Sequence, residues 1–459
     1  MLPFANLSRD SADVYLAEGL TEELISRLGA VERFRVPGRS VVVRAQAAVA
    51  DPQALARRLG VRYLVEGSVR RGGNRLRVSV RLLRAADGVR VWGDDYNRSQ
   101  DDLLDVQETI AREVATNVAG QLLPGEQATL TARPTRDPEA WDHFLRGNHA
   151  MGTRSARSLS TALIEYETAL AHDSVFVAAQ ARIAYVYALG FIYGLESVPS
   201  DSGLLRGERA AQRALLLDAN SSDAWLAWGF LRTLGTAQNL REARTAMERA
   251  VRLDPRNAEG FHQLGQVYTF LDDDSAAIVS YRRALAIEPG RAQTLYELGH
   301  VYLLLHQWRD ALRLCDSAVA ENPELARAYV GRARARTFLG DAARAAEDAR
   351  RAVGLATGIV GPEARAALIV ALAAAGDSAA ARAALGELES MLPADSASPR
   401  RGNVALGLVA LGQPERSIAV LRPIAPSGIL SWILRDPEFD PIRTDPRFQR
   451  IVAAARAAP

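Results

Sequence analysis

Two hydrophobic periods divide the chain. Around residues 61–96 apolar and polar positions alternate: Leu76, Val78, Val80 and Leu82 are apolar, with Arg75, Arg77, Ser79 and Arg81 between them. A period of two sends the two sets to opposite faces of a sheet and predicts strands. Arg71 to Asn74 and Ala85 to Gly88 read as the hairpin turns, and Val89 to Tyr96 as the last strand. On either side the spacing is helical. Residues 12–29 carry Val14, Ala17, Leu20, Leu24 and Leu28 on one stripe, 52–59 form a shorter helix ending at Gly60, and 101–122 form a long one. A short strand is expected within 33–44. Leu2 to Ser8 read as the end of a first strand with no residues left for its beginning, and two or three residues pair poorly in a sheet centre. The natural chain is therefore expected to extend upstream. The order βαβαβββα predicts a small α/β sandwich over residues 1–123, with one sheet face covered by helices.

From residue 137 the alternation is gone and a longer period takes over. Pro255, Pro289 and Pro323 are spaced by 34 and 34. After Pro255 come Ala258, Phe261, Leu264, Gly265, Tyr268, Ala277, Tyr281 and Ala284. After Pro289 come Ala292, Leu295, Leu298, Gly299, Tyr302, Ala311, Cys315 and Ala318. This pattern is similar to that of the tetratricopeptide (TPR) repeat, with Cys315 the one unusual choice, at a position that usually holds a larger apolar residue. The resemblance implies two short antiparallel helices per repeat, with Gly265 and Ala277 small enough for close approach, and stacking that no single repeat can dispense with. More divergent copies are read at 137–174, 175–220, 221–255 (with a longer inner loop around Thr236 to Asn239), 326–357, 362–393 and 399–424. The expected array is about eight hairpins over 137–424, an all-α TPR superhelix or α-solenoid. Pro124-Gly125 and Pro134 to Pro138 mark 124–136 as a linker. Residues 425–459 break the period. Asp436-Pro437 and Asp445-Pro446 each read as an N-cap followed by Pro at the first helical position, opening short helices that carry Phe439 and Phe448 and cap the last repeat.

Composition removes whole classes of function. All 56 basic residues are Arg, against 54 acids, for a net charge of +2. Without Lys there is no phosphate-loop or kinase Lys and no Schiff base. Near-neutral charge argues against a nucleic-acid partner. One cysteine excludes an internal disulfide and a multi-cysteine metal site. No Ser nucleophile elbow is present. The chain shows neither a signal peptide nor an apolar run long enough to span a membrane, and as given it is expected in the cytoplasm.

Residues 2–118 resemble the amino-terminal domain of TolB-like and FlgO-like proteins. The likeness rests on Leu2 to Ser8, Ala17 to Leu24, Val65 to Arg70, and Val91-Trp92 with Tyr96. Joined to TPR repeats and an Asp-Pro-rich ending, it resembles a bacterial multidomain family. There such a module follows a cytoplasmic output domain, either a serine/threonine kinase, a class III nucleotide cyclase or a winged-helix regulator, and usually a membrane span. The resemblance implies a sensory or interaction half rather than a catalyst. It also opens an alternative location outside the membrane, if the parent protein carries a span.

Candidate sites follow from these patterns. First-helix positions of the repeats place His262, Gln263, Gln266, Tyr296, Glu297, His300, Arg327 and Arg334 on the concave surface. There they either hold a peptide or protein partner or are simply solvated. His262/Gln266 and Tyr296/His300 do not match a dicarboxylate clamp, which excludes chaperone-tail binding. Counting back from the second turn sets Arg81 opposite Trp92, Ser79 opposite Asp94 and Arg77 opposite Tyr96. Residues 57–90 hold ten Arg against Glu66 and Asp87. That basic, aromatic face either stacks an anionic partner or pairs within itself, as ordinary sheet residues do. Residues 94–113 add seven acids that can neutralise it. The histidines lack the one-turn spacing of a helical metal site. Cys315 reads as a core residue. No catalytic residue, metal or cofactor is expected.

Overall fold

The computed structural model describes residues 1–49, 51–153, 155–195, 200–234, 237–358, 360–391, 401–424 and 428–457. It divides into two units. The first comprises Met1–Val186, Leu195–Pro199 and Ala210–Ala219, the second Tyr187–Gly194, Ser200–Arg209 and Asn220–Pro459.

The first unit opens with β1 (Ala5–Asn6), α1 (Val14–Gly29), α2 (Arg39–Ala48) and α3 (Pro52–Leu59). Then come β2 (Tyr63–Gly72), β3 (Arg75–Arg84), β4 (Arg90–Ser99) and α4 (Leu103–Ala119). The strands lie in the order β1-β2-β3-β4, with β1 parallel to β2 and the rest antiparallel. Val65, Val69, Val78, Val80 and Leu82 are buried on one face, where α1 and α4 pack. The short β1 occupies the sheet edge rather than its centre. Leu2 N–H donates to Val65 O and Leu7 N–H to Val69 O, and the Phe4 ring lies over Gly67, where a Cβ would fall 2.5 Å from it.

Three expectations fail here. Residues 33–44 hold no strand; the second half of the stretch, from Arg39, enters α2. The run Val41-Val42-Val43 favours a strand locally, but tertiary packing overrides it. Val42 and Ala45 join Leu55 and Ala56 of α3 around Leu64 and Leu2. Leu64 pairs with Leu83 and points away from the Val65 face, so helices cover this end of the sheet on both sides. Second, the register of β3 on β4 is displaced by one. An irregularity between Leu82 and Leu83 pairs Leu82 with Trp92 and Leu83 with Arg90. Third, the 124–136 linker begins as a helix, α5 (Pro124–Thr131). Pro124 starts it, the Glu126 carboxylate accepts from the Leu123 N–H, and Leu130 is fully buried, with its carbonyl accepting from Arg27.

Helix pairs follow. They are α6 (Pro138–Ala150) with α7 (Ala156–His172), α8 (Val177–Tyr193) with α9 (Ser200–Leu217), and α10 (Ser222–Thr233) with α11 (Ala237–Leu253). Next come α12 (Ala258–Phe270) with α13 (Asp274–Ile287), α14 (Ala292–Leu304) with α15 (Trp308–Glu321), and α16 (Ala326–Phe338) with α17 (Ala342–Leu355). The last pairs are α18 (Val360–Ala374) with α19 (Ser378–Met391) and α20 (Arg401–Ala410) with α21 (Pro414–Leu421). Among the described residues seven of these pairs pack helix against helix, all but α8 with α9, whose connection lies partly outside the described residues. The loop expected at Thr236 to Asn239 is shorter, since α11 begins at Ala237; residues 235–236 lie outside the described ones, as do 392–393 and 399–400 of the last two spans. In the first unit α6 packs on α1: the Tyr15 hydroxyl donates to Asp142, 2.6 Å away, and Arg146 donates to the same hydroxyl.

In two hairpins of the second unit a glycine admits a large residue, Gly229 facing Met247 and Gly265 facing Tyr281. A Cβ on Gly265 would fall 2.6 Å from the Tyr281 ring, so only glycine lets the two helices close. At the equivalent place Gly299 faces Cys315, which fills the Tyr281 position with less volume. The chain ends in α22 (Gly428–Ile433), a 3-10 turn at Pro437–Ile442, and α23 (Pro446–Ala457). The Phe439 and Phe448 rings meet tilted, 5.4 Å apart, inside the core of the last repeats.

Candidate functional site

The first helices of successive hairpins in the second unit line a common inner face. That face is filled by the chain's own residues 430–443, which the sequence placed only over the last repeat. Arg334 of α16 donates to both carboxylate oxygens of Glu438, at 2.6 and 2.5 Å, and lies 2.7 Å from Asp436. His300 of α14 sits 3.3 Å from the Asp436 carboxylate, and its ring meets Trp432 at a tilt, ring centres 5.1 Å apart. Trp432 also meets Phe270 of α12 edge to face at 5.6 Å. Arg435 reaches Asp274 at 2.6 Å, Asp272 at 3.1 Å and the Thr269 carbonyl at 2.9 Å. His306 lies 3.6 Å from Asp440.

The expected groove residues therefore divide. Gln266, Tyr296, Glu297, His300, Arg327 and Arg334 converge on this face. The Tyr296 hydroxyl donates to Glu363 at 2.9 Å, Arg327 donates to the same carboxylate at 3.2 Å, and Glu297 lies 3.6 Å from Arg327. His262 and Gln263 do not join them. His262 bonds Thr294 between repeats, 3.0 Å away, and its ring leans on Tyr281; Gln263 donates to Glu259 of its own helix. All but Gln266 and Arg327 are buried rather than solvated.

The electrostatics follow from burial. Burial works against an Asp436 charge, but Arg334 and His300 outweigh it and hold the carboxyl below its ordinary value. Burial raises the Glu297 carboxyl, with Arg327 pulling the other way. Burial also drives Tyr296 well above its ordinary value, helped by Glu363 and Glu297. Between the inner helices and residues 432–438 a cavity of about 250 Å³ remains.

Sequence reasoning missed Glu363, Trp432, Arg435, Asp436 and Glu438. Asp436-Pro437 looked like an N-cap, yet the Asp436 side chain makes no capping bond and is spent on Arg334 and His300. The usable signal was Trp432, an aromatic in a segment also rich in charge.

The basic, aromatic sheet face does not form as counted. Trp92 lies opposite Leu82 and Tyr96 opposite Val78, on the helix-covered side. Arg77 and Arg81 lie on the other face, opposite Asn97 and Gly93, because a one-residue slip reverses every side chain. They sit 3.8 Å from Asp95 and 3.9 Å from Glu66. Burial pushes the Tyr96 hydroxyl up to about 12. Cys315 is fully buried and its thiol is likewise pushed up to about 12, which removes it as a nucleophile. Asp137, Glu139 and His172 bring ligand atoms within 4.8 Å of one another, a grouping that histidine spacing did not reveal. Asp137 is already engaged there as the N-cap of α6. No helix among the described residues is long and apolar enough to cross a membrane.

A family profile for the tetratricopeptide repeat matches residues 258–291, the α12–α13 hairpin and its exit turn. The putative adenylate cyclase 3 of Rhizobium meliloti (strain 1021) is 30% identical over 243 residues, which is 52% of this chain and 41% of that protein. The chain thus spans less than half the length of that relative. Among solved structures, yeast Tom70 is 14% identical, covering 77% of this chain and 82% of its own, with a TM-score of 0.40. A tetratricopeptide repeat protein from Parabacteroides merdae is 16% identical, covering 60% and 98%, at 0.39. YrrB, a TPR protein with an unusual peptide-binding site, is 18% identical, covering 41% and 91%, at 0.30. The chain is a small four-stranded sheet with helices followed by a TPR-type solenoid.

Proposed function

We propose that this chain is a non-catalytic interaction scaffold whose inner repeat face binds a peptide segment of a partner protein, and that residues 430–443 hold that face until the partner displaces them. One observation carries the reading: a short segment already lies there, fixed by Trp432 on His300 and Phe270, Arg435 on Asp272 and Asp274, and Asp436 with Glu438 on Arg334. A partner segment would carry the same chemistry, an aromatic followed within one or two turns by an Arg and two carboxylates. Repeat arrays bind through such extended inner surfaces. The test is a labelled peptide spanning residues 428–443. The double variant Asp436→Ala/Glu438→Ala, its own segment loosened, should bind the peptide at least about tenfold tighter than the unaltered chain. Equal binding, or none by either, would sink the reading.

A second reading is favoured by the cyclase-named relative. Residues 1–123 would be a TolB/FlgO-like domain joined to the repeats as the regulatory part of a longer signalling protein, with a kinase, cyclase or winged-helix output domain and a membrane span upstream. The resemblance of residues 2–118 and the partial coverage of that relative support it. The genomic reading frame tests it: an in-frame apolar segment of about 20 residues preceded by an output domain is expected, and a nearby in-frame stop codon would rule it out.

A further inference from the structure

The cavity under residues 432–438 has a chemistry that the scaffold role does not use. Its walls are in part apolar, from Phe270, Leu406, Trp432 and Ile433. The rest carries paired charges that do not balance. Arg327 stands between Glu297 and Glu363, and Arg334 between Asp436 and Glu438. With His300 neutral, four carboxylates thus face two guanidinium groups, a formal excess of two negative charges around one partly open cavity, which His300 beside Asp436 reduces when it is protonated.

Buried charge of one sign is costly unless something completes it. Glu297 is the least satisfied of the four. It is 7% exposed, no hydrogen bond reaches its carboxylate among the described residues, and its nearest cation is 3.6 Å away. Both guanidinium groups already have two carboxylates each, so the one buried donor in the lining without a partner, among the described residues, is the neutral Trp432 indole N–H. The four acids do not converge as an ion cage: the described residues hold one ion-sized grouping of ligand atoms, at Asp137, Glu139 and His172 in the first unit. A cavity of about 250 Å³ is many times the roughly 10–15 Å³ that a single water needs on the same measure. The Trp432 and Phe270 rings supply the π faces that a cation prefers.

The geometry points to a binding site for a small organic cation, an amine or guanidinium carrying an apolar body, with its charge at Glu297 and Glu363 and its body against Trp432, Phe270 and Leu406. The site exists with residues 430–443 docked and does not depend on their exchange for a partner. Because Trp432, Asp436 and Glu438 belong to the docked segment, the cation also holds that segment in place, and removing the segment lowers the affinity for the cation by the same factor.

Titration calorimetry on the full chain tests this with phenethylamine and agmatine as probes and phenylacetate as the anionic control. At least one amine should bind saturably at a single site and raise the melting temperature, and phenylacetate should not. Glu297→Gln should weaken amine binding about tenfold or more, with no fall in the ligand-free melting temperature. Ala367→Leu, which puts bulk into the cavity wall, should weaken binding without touching any charge. Absence of saturable binding by both amines, equal binding of phenylacetate, or unchanged affinity in Glu297→Gln would each overturn the proposal.

Discussion

Arg334 and Glu438 are 104 residues apart in sequence and joined by two parallel hydrogen bonds in the structure. Such a fork is the strongest ordinary geometry between these groups. Both side chains are buried, so removing one leaves the other charged and unpaired, at a cost of about 3–5 kcal/mol if nothing moves. Release of residues 430–443 would return Asp436 and Glu438 to water, at the cost of withdrawing Phe439 and Leu434 from the core of the last repeats. Arg334→Ala should therefore raise hydrogen exchange across 430–443 sharply while α12 to α17 stay protected. Uniform loss of protection across the second unit would mean that the segment is part of the repeat core.

Asp436 makes the docking depend on acidity, with a definite sign. Arg334 and His300 overcome the burial penalty and keep its carboxyl below the ordinary value, while Glu438 shares the same guanidinium. A group held low in the folded state stabilises in full above its unfolded pKa of about 4, and that support is lost as the pH falls through the folded value. Protection of 430–443 should fall as the pH drops below about 4. Asp436→Asn should lower protection at neutral pH and flatten the acid limb. A loss of protection centred above pH 5 in the unaltered chain would contradict this assignment.

Glu297 has the opposite sign. Burial raises its carboxyl despite Arg327. A carboxyl raised in the folded state is at its best while protonated, and its contribution turns unfavourable as the pH rises through the folded value. Glu297→Gln should then raise the melting temperature at pH 7 and give little gain near pH 4, as measured by calorimetry at both. A drop at pH 7 would show that Arg327 needs this carboxylate more than burial penalises it.

The hairpins were legible because their packing is local. Gly265, Ala277 and Tyr281 recur as Gly299, Ala311 and Cys315, and each set meets within one repeat. The occupant of the inner face was not legible, because its contacts join positions more than a hundred residues apart and Asp436-Pro437 mimics a helix start. Its trace is visible only afterwards, at the turns inside the hairpins. Gly340, Gly376 and Gly412 take the left-handed conformation there, and Asp272 and His306 take it without being glycine. Those two are the ones that reach Arg435 and Asp440. The sheet register was lost to one extra residue at the Leu82/Leu83 irregularity, which no alternation of apolar residues announces.

Close packing at Gly265 gives a graded prediction. A Cβ there would fall 2.6 Å from the fully buried Tyr281 ring, whereas at Gly299 it would meet the Cys315 sulfur at 3.1 Å. Gly265→Ala should cost about 1–3 kcal/mol in denaturant unfolding, as overpacking does. Gly299→Ala should cost visibly less. Equal losses would mean that the α14–α15 pair is as tight as its neighbour despite the smaller Cys315.

The register of β4 is open to a test that separates its two faces. Tyr96 pairs with Val78 over the helix-covered side and is 8% exposed, while Arg77 and Arg81 stand on the other face with weak, solvated partners. Exposed pairs of this kind contribute about 0–1 kcal/mol. Arg77→Ala and Arg81→Ala should thus leave unfolding of the sheet nearly unchanged. Tyr96→Ala should cost about 3–5 kcal/mol, as emptying an aromatic from a core does. If Tyr96 and Arg77 instead faced each other on one open surface, Tyr96→Ala would be as mild as Arg77→Ala, and the two substitutions would cease to be additive.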